Sequence, residues 1–261
     1  MKRTRIFPDL DAFPQGLHTL LASSPIYDSS CSPEARVYFI DRDGGYYLKR
    51  APKGSLQREA EMTRYFHAKG LAANVLWYES DKLDWLLTER VVGEDCTHRI
   101  YLDDPKRLCD TTATLLRALH ETDFEGCPIP DHTARYLHTV RENYQEGMFD
   151  PSLATDDCRF QTAEEAWNIV ARYGHLLECN TLLHGDYCLP NIMLDEWRHS
   201  GFIDLGNGGV GDRHVDLFWG AWTLLFNLGT DRYRDRFYDA YGRDRIDLDR
   251  IAVVAAAECF G

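Results

Sequence analysis

With 261 residues, 44% of them hydrophobic and 27% charged, the chain is long enough to bury a core in one large domain or in each of two lobes, and it carries no biased tract of the kind that stays disordered. Its 29 Lys and Arg against 42 Asp and Glu give a formal charge of −13, which argues against nucleic acid as a partner and favours cations. No apolar run follows the basic start, and no stretch of about eighteen apolar residues occurs anywhere, so the chain reads as neither secreted nor membrane-spanning and a cytoplasmic location is expected.

Ala35–Ile40 and Tyr46–Lys49 flank the turn Asp41-Arg42-Asp43-Gly44-Gly45, which predicts a β-hairpin. After Gly54-Ser55, Leu56–Lys69 has helical composition, ends at Gly70, and sets Glu59, Met62 and Phe66 at spacings that share a face. Trp77–Tyr78 and Trp85–Val92 read as two further strands around Asp81–Asp84, before Gly93-Glu94-Asp95 breaks the pattern. A β-rich N-terminal lobe over residues 1–92 and a mainly helical C-terminal lobe over 93–261 are therefore expected, an α+β chain. In the second part, Pro105 suits a first helical position, and Leu108, Thr112, Leu115, Leu116 and Leu119 form a stripe at helical period. Further helices are predicted at Thr133–Glu146, Thr162–His175, His214–Leu228, Asp231–Tyr241 and Leu248–Cys259, with a strand-like island at Thr181–Leu194 and Gly201–Leu205.

The island holds the chemistry. His184-Gly185-Asp186-Tyr187-Cys188-Leu189-Pro190-Asn191 is followed by Phe202-Ile203-Asp204-Leu205-Gly206. Phosphoryl transfer needs a carboxylate beside the incoming hydroxyl and oxygen ligands for the Mg²⁺ that neutralises the phosphates. An Asp, an Asn five residues on, and a second Asp at the end of a nearby strand supply these groups. The order and spacing match the catalytic loop and metal-binding Asp of protein kinases, with Gly185 where those carry Arg and Leu205 where they carry Phe. Lys49, ending an apolar hairpin strand, suits an anionic partner and a pairing with Glu59, although Arg58 and Glu61 lie nearby and a lysine there is also an ordinary surface residue.

HGDYCLPN followed by FIDLG resembles the aminoglycoside phosphotransferase family, especially its 3′-phosphotransferase branch, and SPEARVY, YYLKR, REAEM, LLTERVVGED and GDRHVDL fall in that family's order. The resemblance implies a bilobal protein-kinase-like fold, Mg²⁺, ATP or GTP as donor, and a cationic small molecule as acceptor, with neither nucleic acid nor membrane as partner. It also implies that Asp186 orients or deprotonates the acceptor hydroxyl and that Asn191 and Asp204 hold Mg²⁺. Lys49, fixed by Glu59, would contact the α- and β-phosphates. The Glu89 carbonyl and Val91 amide would meet the base, and a Ser-rich loop centred on Ser32 would cover the phosphates. For the acceptor's ammonium groups it points to Asp156, Asp157 and Glu258. The chain departs from the branch in having Asn207 where Arg is usual, and in placing Phe226 and Asn227 where some relatives have acidic antibiotic contacts, so that beside transfer to an aminoglycoside hydroxyl, expected at the 3′ position, a kinase of another hydroxylated metabolite such as a sugar or amino sugar, or a catalytically silent kinase-like binding module, stays open.

Other patterns mislead. Gly206-Asn207-Gly208-Gly209-Val210-Gly211 matches a dinucleotide-binding fingerprint, but such a unit needs a second parallel strand after its helix, and the remaining chain reads as helices. No G-x-x-x-x-G-K-[ST] loop is present. The eight cysteines are scattered without a C-x-x-C pair and read as free thiols in a reducing compartment. His184 reads as a support of the loop, His120 as structural, and Asp216 as a buried loop anchor in preference to a metal ligand.

Overall fold

The structure, a computed structural model, describes residues 3–31, 35–153 and 160–261. It has the α+β order expected: an antiparallel sheet, then a helical region. Two compact units form, one of Met1–Gly93, Met193–Asp195 and Ser200–Gly206, the other of Glu94–Ile192, Glu196–His199 and Asn207–Gly261.

The first unit holds strands β1 (Thr4–Ile6), β2 (Ile26–Asp28), β3 (Arg36–Ile40), β4 (Tyr46–Pro52), β5 (Val75–Ser80) and β6 (Leu83–Glu89), with helices α1 (His18–Ala22) and α2 (Gln57–Ala68). The sheet order is β1-β2-β3-β4-β6-β5, with every neighbouring pair antiparallel. The β3–β4 turn is tight because Asp43, Gly44 and Gly45 all take positive φ, at 48°, 96° and 103°. The period of two then divides the side chains. Tyr38, Ile40, Leu48, Trp85 and Leu87 pack with Phe13, Leu17 and Leu21 on one face, whereas Ala51 and Leu86 pack with Leu56, the N-cap of α2, and Ala60 within it on the other. Lys49 shares its parity with Ala51 and so is aimed at α2.

Two local readings need correction. Asp84, read as turn, lies inside β6, because its buried carboxylate accepts from the amides of Gly54 (2.9 Å) and Leu56 (2.8 Å) and so caps the start of α2. The first ninety residues also contain a second helix, α1, which supplies Leu17 and Leu21 to the core from its N-cap and interior.

The second unit begins with β7 (Glu94–Asp95), followed by α3 (Arg99–Leu102), α4 (Pro105–His120), α5 (His132–Gln145), α6 (Ala163–Tyr173) and β8 (Thr181–Leu183). Strands β9 (Ile192–Asp195) and β10 (Arg198–Phe202), most of whose residues belong to the first unit, are followed in the second by β11 (Gly209–Gly211), α7 (His214–Leu228), α8 (Arg234–Tyr241) and α9 (Leu248–Glu258). Asp104 caps α4 by accepting from the Arg107 amide at 3.2 Å, with Pro105 in the first turn. Helices α7, α9 and α6 share a core in which Leu183, Val215, Phe218, Val253 and Val254 are buried. β8 pairs antiparallel with β11 and is buried throughout, so the chain leaves it from a fixed point.

Candidate phosphotransferase site

The chemistry-bearing residues form two clusters, one in each unit. In the first, Lys49 Nζ lies 2.7 Å from Glu59 Oε2 and 2.8 Å from Asp204 Oδ1. Its side chain is 21% exposed, that of Glu59 11% and that of Asp204 52%, so the lysine is held by a buried acid on one side and an accessible one on the other. Burial alone would lower the Lys49 pKa, but the charges of Glu59 and Asp204 outweigh it and hold the ammonium well above the ordinary lysine value. The lysine is a fixed positive charge, and neither Arg58 nor Glu61 takes its place.

Asp204 reaches this lysine through its own strand. The Phe202 amide donates to Leu71 O at 2.8 Å, Ala72 bridges Phe202 in parallel, and the Phe202 ring packs edge-on against Phe66 of α2. Two residues later Asp204 adopts φ 60°, a left-handed conformation that Asp tolerates better than most residues and that places its carboxylate toward β4. Beyond β6, the Glu89 amide donates to Asn74 O (3.1 Å) and the Arg90 amide to Gly45 O (3.0 Å), while the Val91 side chain is buried. This segment's backbone is therefore fixed. Ser32 lies outside the described residues, but the stem before it is held where the Ser30 amide donates to Asp28 Oδ1 (2.9 Å) and Ser30 Oγ accepts from Val37 (3.0 Å).

In the second unit, the loop after β8 carries half-buried Asp186 and buried Asn191. Asn191 Nδ2 donates to Asp186 Oδ2 at 2.8 Å and to Asp186 O at 3.0 Å. The amide nitrogen is thereby committed to the loop, leaving Oδ1 as the side chain's acceptor atom. The loop in turn hangs on α7. Fully buried Asp216 accepts from the amides of His184 (2.8 Å) and Gly185 (2.7 Å), and Thr223 Oγ1 accepts from the Leu189 amide (3.1 Å). Asp216 is thus the loop anchor.

His120 of α4 backs the same carboxylate, with Nε2 at 3.1 Å from Asp216 Oδ2 and Nδ1 at 2.8 Å from the Tyr241 hydroxyl. Burial depresses the His120 pKa more than the neighbouring Asp216 raises it. A neutral ring fits both contacts, Nε2–H donating to Asp216 and Nδ1 accepting from Tyr241. Burial would raise the Asp216 pKa, but the hydrogen bonds it accepts from the His120 ring and the His184 amide hold it below the ordinary carboxylate value. Gly185, at φ 83°, is required here, since a Cβ would lie 1.9 Å from Asn207 O.

Of the three expected acceptor contacts, Asp156 and Asp157 lie outside the described residues. Glu258 is buried at the end of α9, where it accepts from the Tyr136 hydroxyl at 2.8 Å and from the Trp219 indole. Burial, reinforced by the charge of Asp186, pushes its pKa up to about 7. Thr223, Tyr136 and Trp219 gave no warning in the sequence, because a hydroxyl or an indole on an apolar helix looks like core. Among the described residues no group of three or more His, Cys, Asp or Glu forms a protein-only metal cage, and no helix is long and apolar enough to cross a membrane.

An antiparallel sheet bearing an ion-paired lysine, followed by helices that suspend an Asp–Asn loop, defines a phosphotransferase of kinase-like fold. Residues 32–253 match the phosphotransferase enzyme family, APH, and the chain belongs to it. A probable aminoglycoside 3′-phosphotransferase of Lactococcus lactis subsp. lactis (strain IL1403) is 53% identical over 262 residues, covering 100% of this chain and 99% of its own. The aminoglycoside 3′-phosphotransferase of Niallia circulans is 31% identical over 211 residues, covering 78% and 79%. The crystal structure of a type VIII aminoglycoside 3′-phosphotransferase covers 89% of this chain and 92% of its own, with 26% identity and a TM-score of 0.69. An aminoglycoside phosphotransferase from Streptomyces rimosus, 24% identical with a TM-score of 0.72 over 98% of this chain and 100% of its own, shares the fold.

Proposed function

We propose that the protein is an aminoglycoside 3′-phosphotransferase, moving the γ-phosphoryl group of ATP onto the 3′-hydroxyl of an aminoglycoside. One observation carries this reading: the doubly paired Lys49, with Glu59 and Asp204, accompanies an intact Asp186–Asn191 loop in a chain 53% identical over its full length to the Lactococcus relative.

In the proposed reaction, Asp186 holds the acceptor hydroxyl and takes its proton as the oxygen bonds to the γ-phosphorus. The bond to the β–γ bridging oxygen breaks, and ADP leaves without a covalent enzyme intermediate. Lys49 sets its charge against the α- and β-phosphates, and the Glu89–Val91 backbone receives the base. Asn191 and Asp204 offer the amide and carboxylate oxygens that suit Mg²⁺, which takes one or two protein ligands together with substrate phosphates. Bound there, the ion would neutralise phosphate charge as it develops. Ser32 is the proposed cover of the phosphates, and Asp156, Asp157 and Glu258 the proposed contacts for a cationic acceptor. The seven described cysteines are all free.

The test is ADP release by purified protein with Mg²⁺, ATP and GTP being tried separately against kanamycin, its 3′-deoxy analogue and neutral sugars. Stimulation by kanamycin and ATP but not by the 3′-deoxy compound is expected. Equal stimulation by both compounds would overturn the position of transfer, and stimulation by neutral sugars alone would overturn the acceptor.

A further inference from the structure

Between Asp186 and Asn191 lies a side chain that the proposed reaction leaves unused, the thiol of Cys188. The backbone of this residue is fixed on both sides: the Cys188 amide donates to Asp186 O at 2.8 Å, and Cys188 O accepts from the Asn191 amide at 2.9 Å. The next residue is tied to α7, because the Leu189 amide donates to Thr223 Oγ1 at 3.1 Å. The buried side chain of Cys188 therefore starts from a fixed point, and its sulfur lies within hydrogen-bonding reach of the Asp186 carboxylate and the Thr223 hydroxyl.

A buried cysteine is ordinarily a small apolar filler with a weak S–H donor. What sets Cys188 apart is the direction its neighbours impose. A threonine hydroxyl has one proton to give and two lone pairs to receive with. Both lone pairs of Thr223 are taken, by the Leu189 amide and by Asn227 Nδ2 at 3.2 Å. The Asn227 amide cannot be turned the other way round, since the same nitrogen donates to Thr223 O at 2.8 Å and a carbonyl oxygen only accepts. The hydroxyl proton is thus left to donate, with the Cys188 sulfur in its reach. Burial, reinforced by the charge of Asp186, pushes the Cys188 pKa up, so the thiol keeps its proton and points it at a group that can only accept, the Asp186 carboxylate. Asn191 Nδ2 reaches the same carboxylate at Oδ2 (2.8 Å) and is itself fixed by donating to Asp186 O.

We propose that Cys188 is a positioning residue for phosphoryl transfer: held by the Thr223 hydroxyl, its thiol donates to the Asp186 carboxylate and, with Asn191, sets the plane in which that carboxylate meets the acceptor hydroxyl. The proposal rests on the reading of Asp186 as the group that takes the acceptor's proton. One donor alone leaves a carboxylate free to turn about the bond to its Cβ. A second donor removes that freedom, and small errors in the approach of a reacting group cost rate. A thiol does this without setting a positive charge beside the base, which would weaken it as a proton acceptor.

Steady-state kinetics of Cys188→Ala and Cys188→Ser with kanamycin and ATP test it, alone and combined with Asp186→Ala, with thermal melts to check folding and labelled ATP to read the slow rates. Alanine and serine are close in size and differ in the donor, so a loss from the smaller side chain is common to both. We expect kcat to fall about 3- to 10-fold in Cys188→Ala, with both KM values within about twofold of wild type, and Cys188→Ser to recover most of that kcat. Combined with Asp186→Ala, Cys188→Ala should cost nothing further, since the group it orients is gone. Equal losses in the Ala and Ser variants would make the sulfur's volume the cause and overturn the proposal. So would a wild-type kcat in Cys188→Ala, a loss carried by the KM for ATP, or a full further loss on top of Asp186→Ala. Near-wild-type turnover in Asp186→Ala would overturn the base and the thiol's role with it. Turnover of another acceptor in place of kanamycin would overturn the proposed function alone, and the same comparisons made with that acceptor would decide the thiol's part.

Discussion

At the residue scale, the two acids assigned to transfer sit in different electrostatic settings, and their substitutions should separate accordingly. Asp186 is restrained through an amide, Asn191, so replacing it with Ala removes the proposed proton acceptor and leaves Lys49 and its two acids untouched. We expect Asp186→Ala to bind Mg–ATP with near-normal affinity, by calorimetry, while turnover falls about 10²- to 10⁴-fold. Asp204→Ala removes a carboxylate from Lys49 and a proposed ligand of the ion, so the Mg–ATP affinity itself should fall. Wild-type affinity in Asp204→Ala, or lost affinity in Asp186→Ala, would invert the assignments. The residue types and their order were legible in the sequence, because HGDYCLPN and FIDLG place acid, amide and acid at fixed offsets. Their mutual arrangement was not: Lys49 and Asp204 lie 155 residues apart, and the ties of Phe202 to Leu71, Ala72 and Phe66 help bring them together. Glu258 shows the converse limit, since a carboxylate near a chain end reads as a surface charge until Tyr136 and Trp219 are seen around it.

At the element scale, the Asp186–Asn191 loop is a suspended structure, held by α7 at Asp216 and Thr223 and closed over Asn207 at Gly185. A side chain at Gly185 meets a backbone carbonyl and a left-handed φ at once, so Gly185→Ala should lower stability by about 1–3 kcal/mol and abolish turnover. Urea unfolding would show this as a lower midpoint at unchanged slope, and a wild-type midpoint would contradict it. The buried pair behind the loop makes a second prediction, on pH. His120 has a folded pKa below its ordinary 6.5, so the unfolded chain takes up a proton there that the folded chain refuses. Stability from this group is complete above about pH 6.5 and is lost as the pH falls toward the folded value, at up to about 1.4 kcal/mol per pH unit. Asp216 adds its own loss only below about 3.8, its ordinary value. Glu258, raised to about 7, acts in the opposite sense as the pH falls. The His120 contribution is therefore read as the difference between wild type and His120→Gln, which should lose stability less steeply between pH 6.5 and 5. Parallel curves would remove the neutral, buried histidine from the account. The long helices were legible because each repeats an apolar stripe over several turns. β1 and β2, three residues each, have too few positions to show a period, and they form only because each pairs with its neighbour.

At the scale of the whole molecule, the charge of −13 acts on the two substrates with opposite signs. A polycationic aminoglycoside is drawn toward the protein over distances comparable with the Debye length, about 10 Å at 0.1 M salt, whereas the triphosphate is repelled until it reaches its own site, proposed at Lys49. Added salt screens both effects. As sodium chloride is raised from about 20 to about 300 mM, the KM for the aminoglycoside should therefore climb several-fold while the KM for Mg–ATP stays level or falls. Loss of folded protein or competition by sodium for the ion's ligands would raise the nucleotide KM as well, so the sign of that second change identifies the cause. A neutral sugar offered as acceptor would show no such dependence. Equal rises in both constants would mean that the net charge serves solubility alone and that acceptor capture depends on short-range contacts.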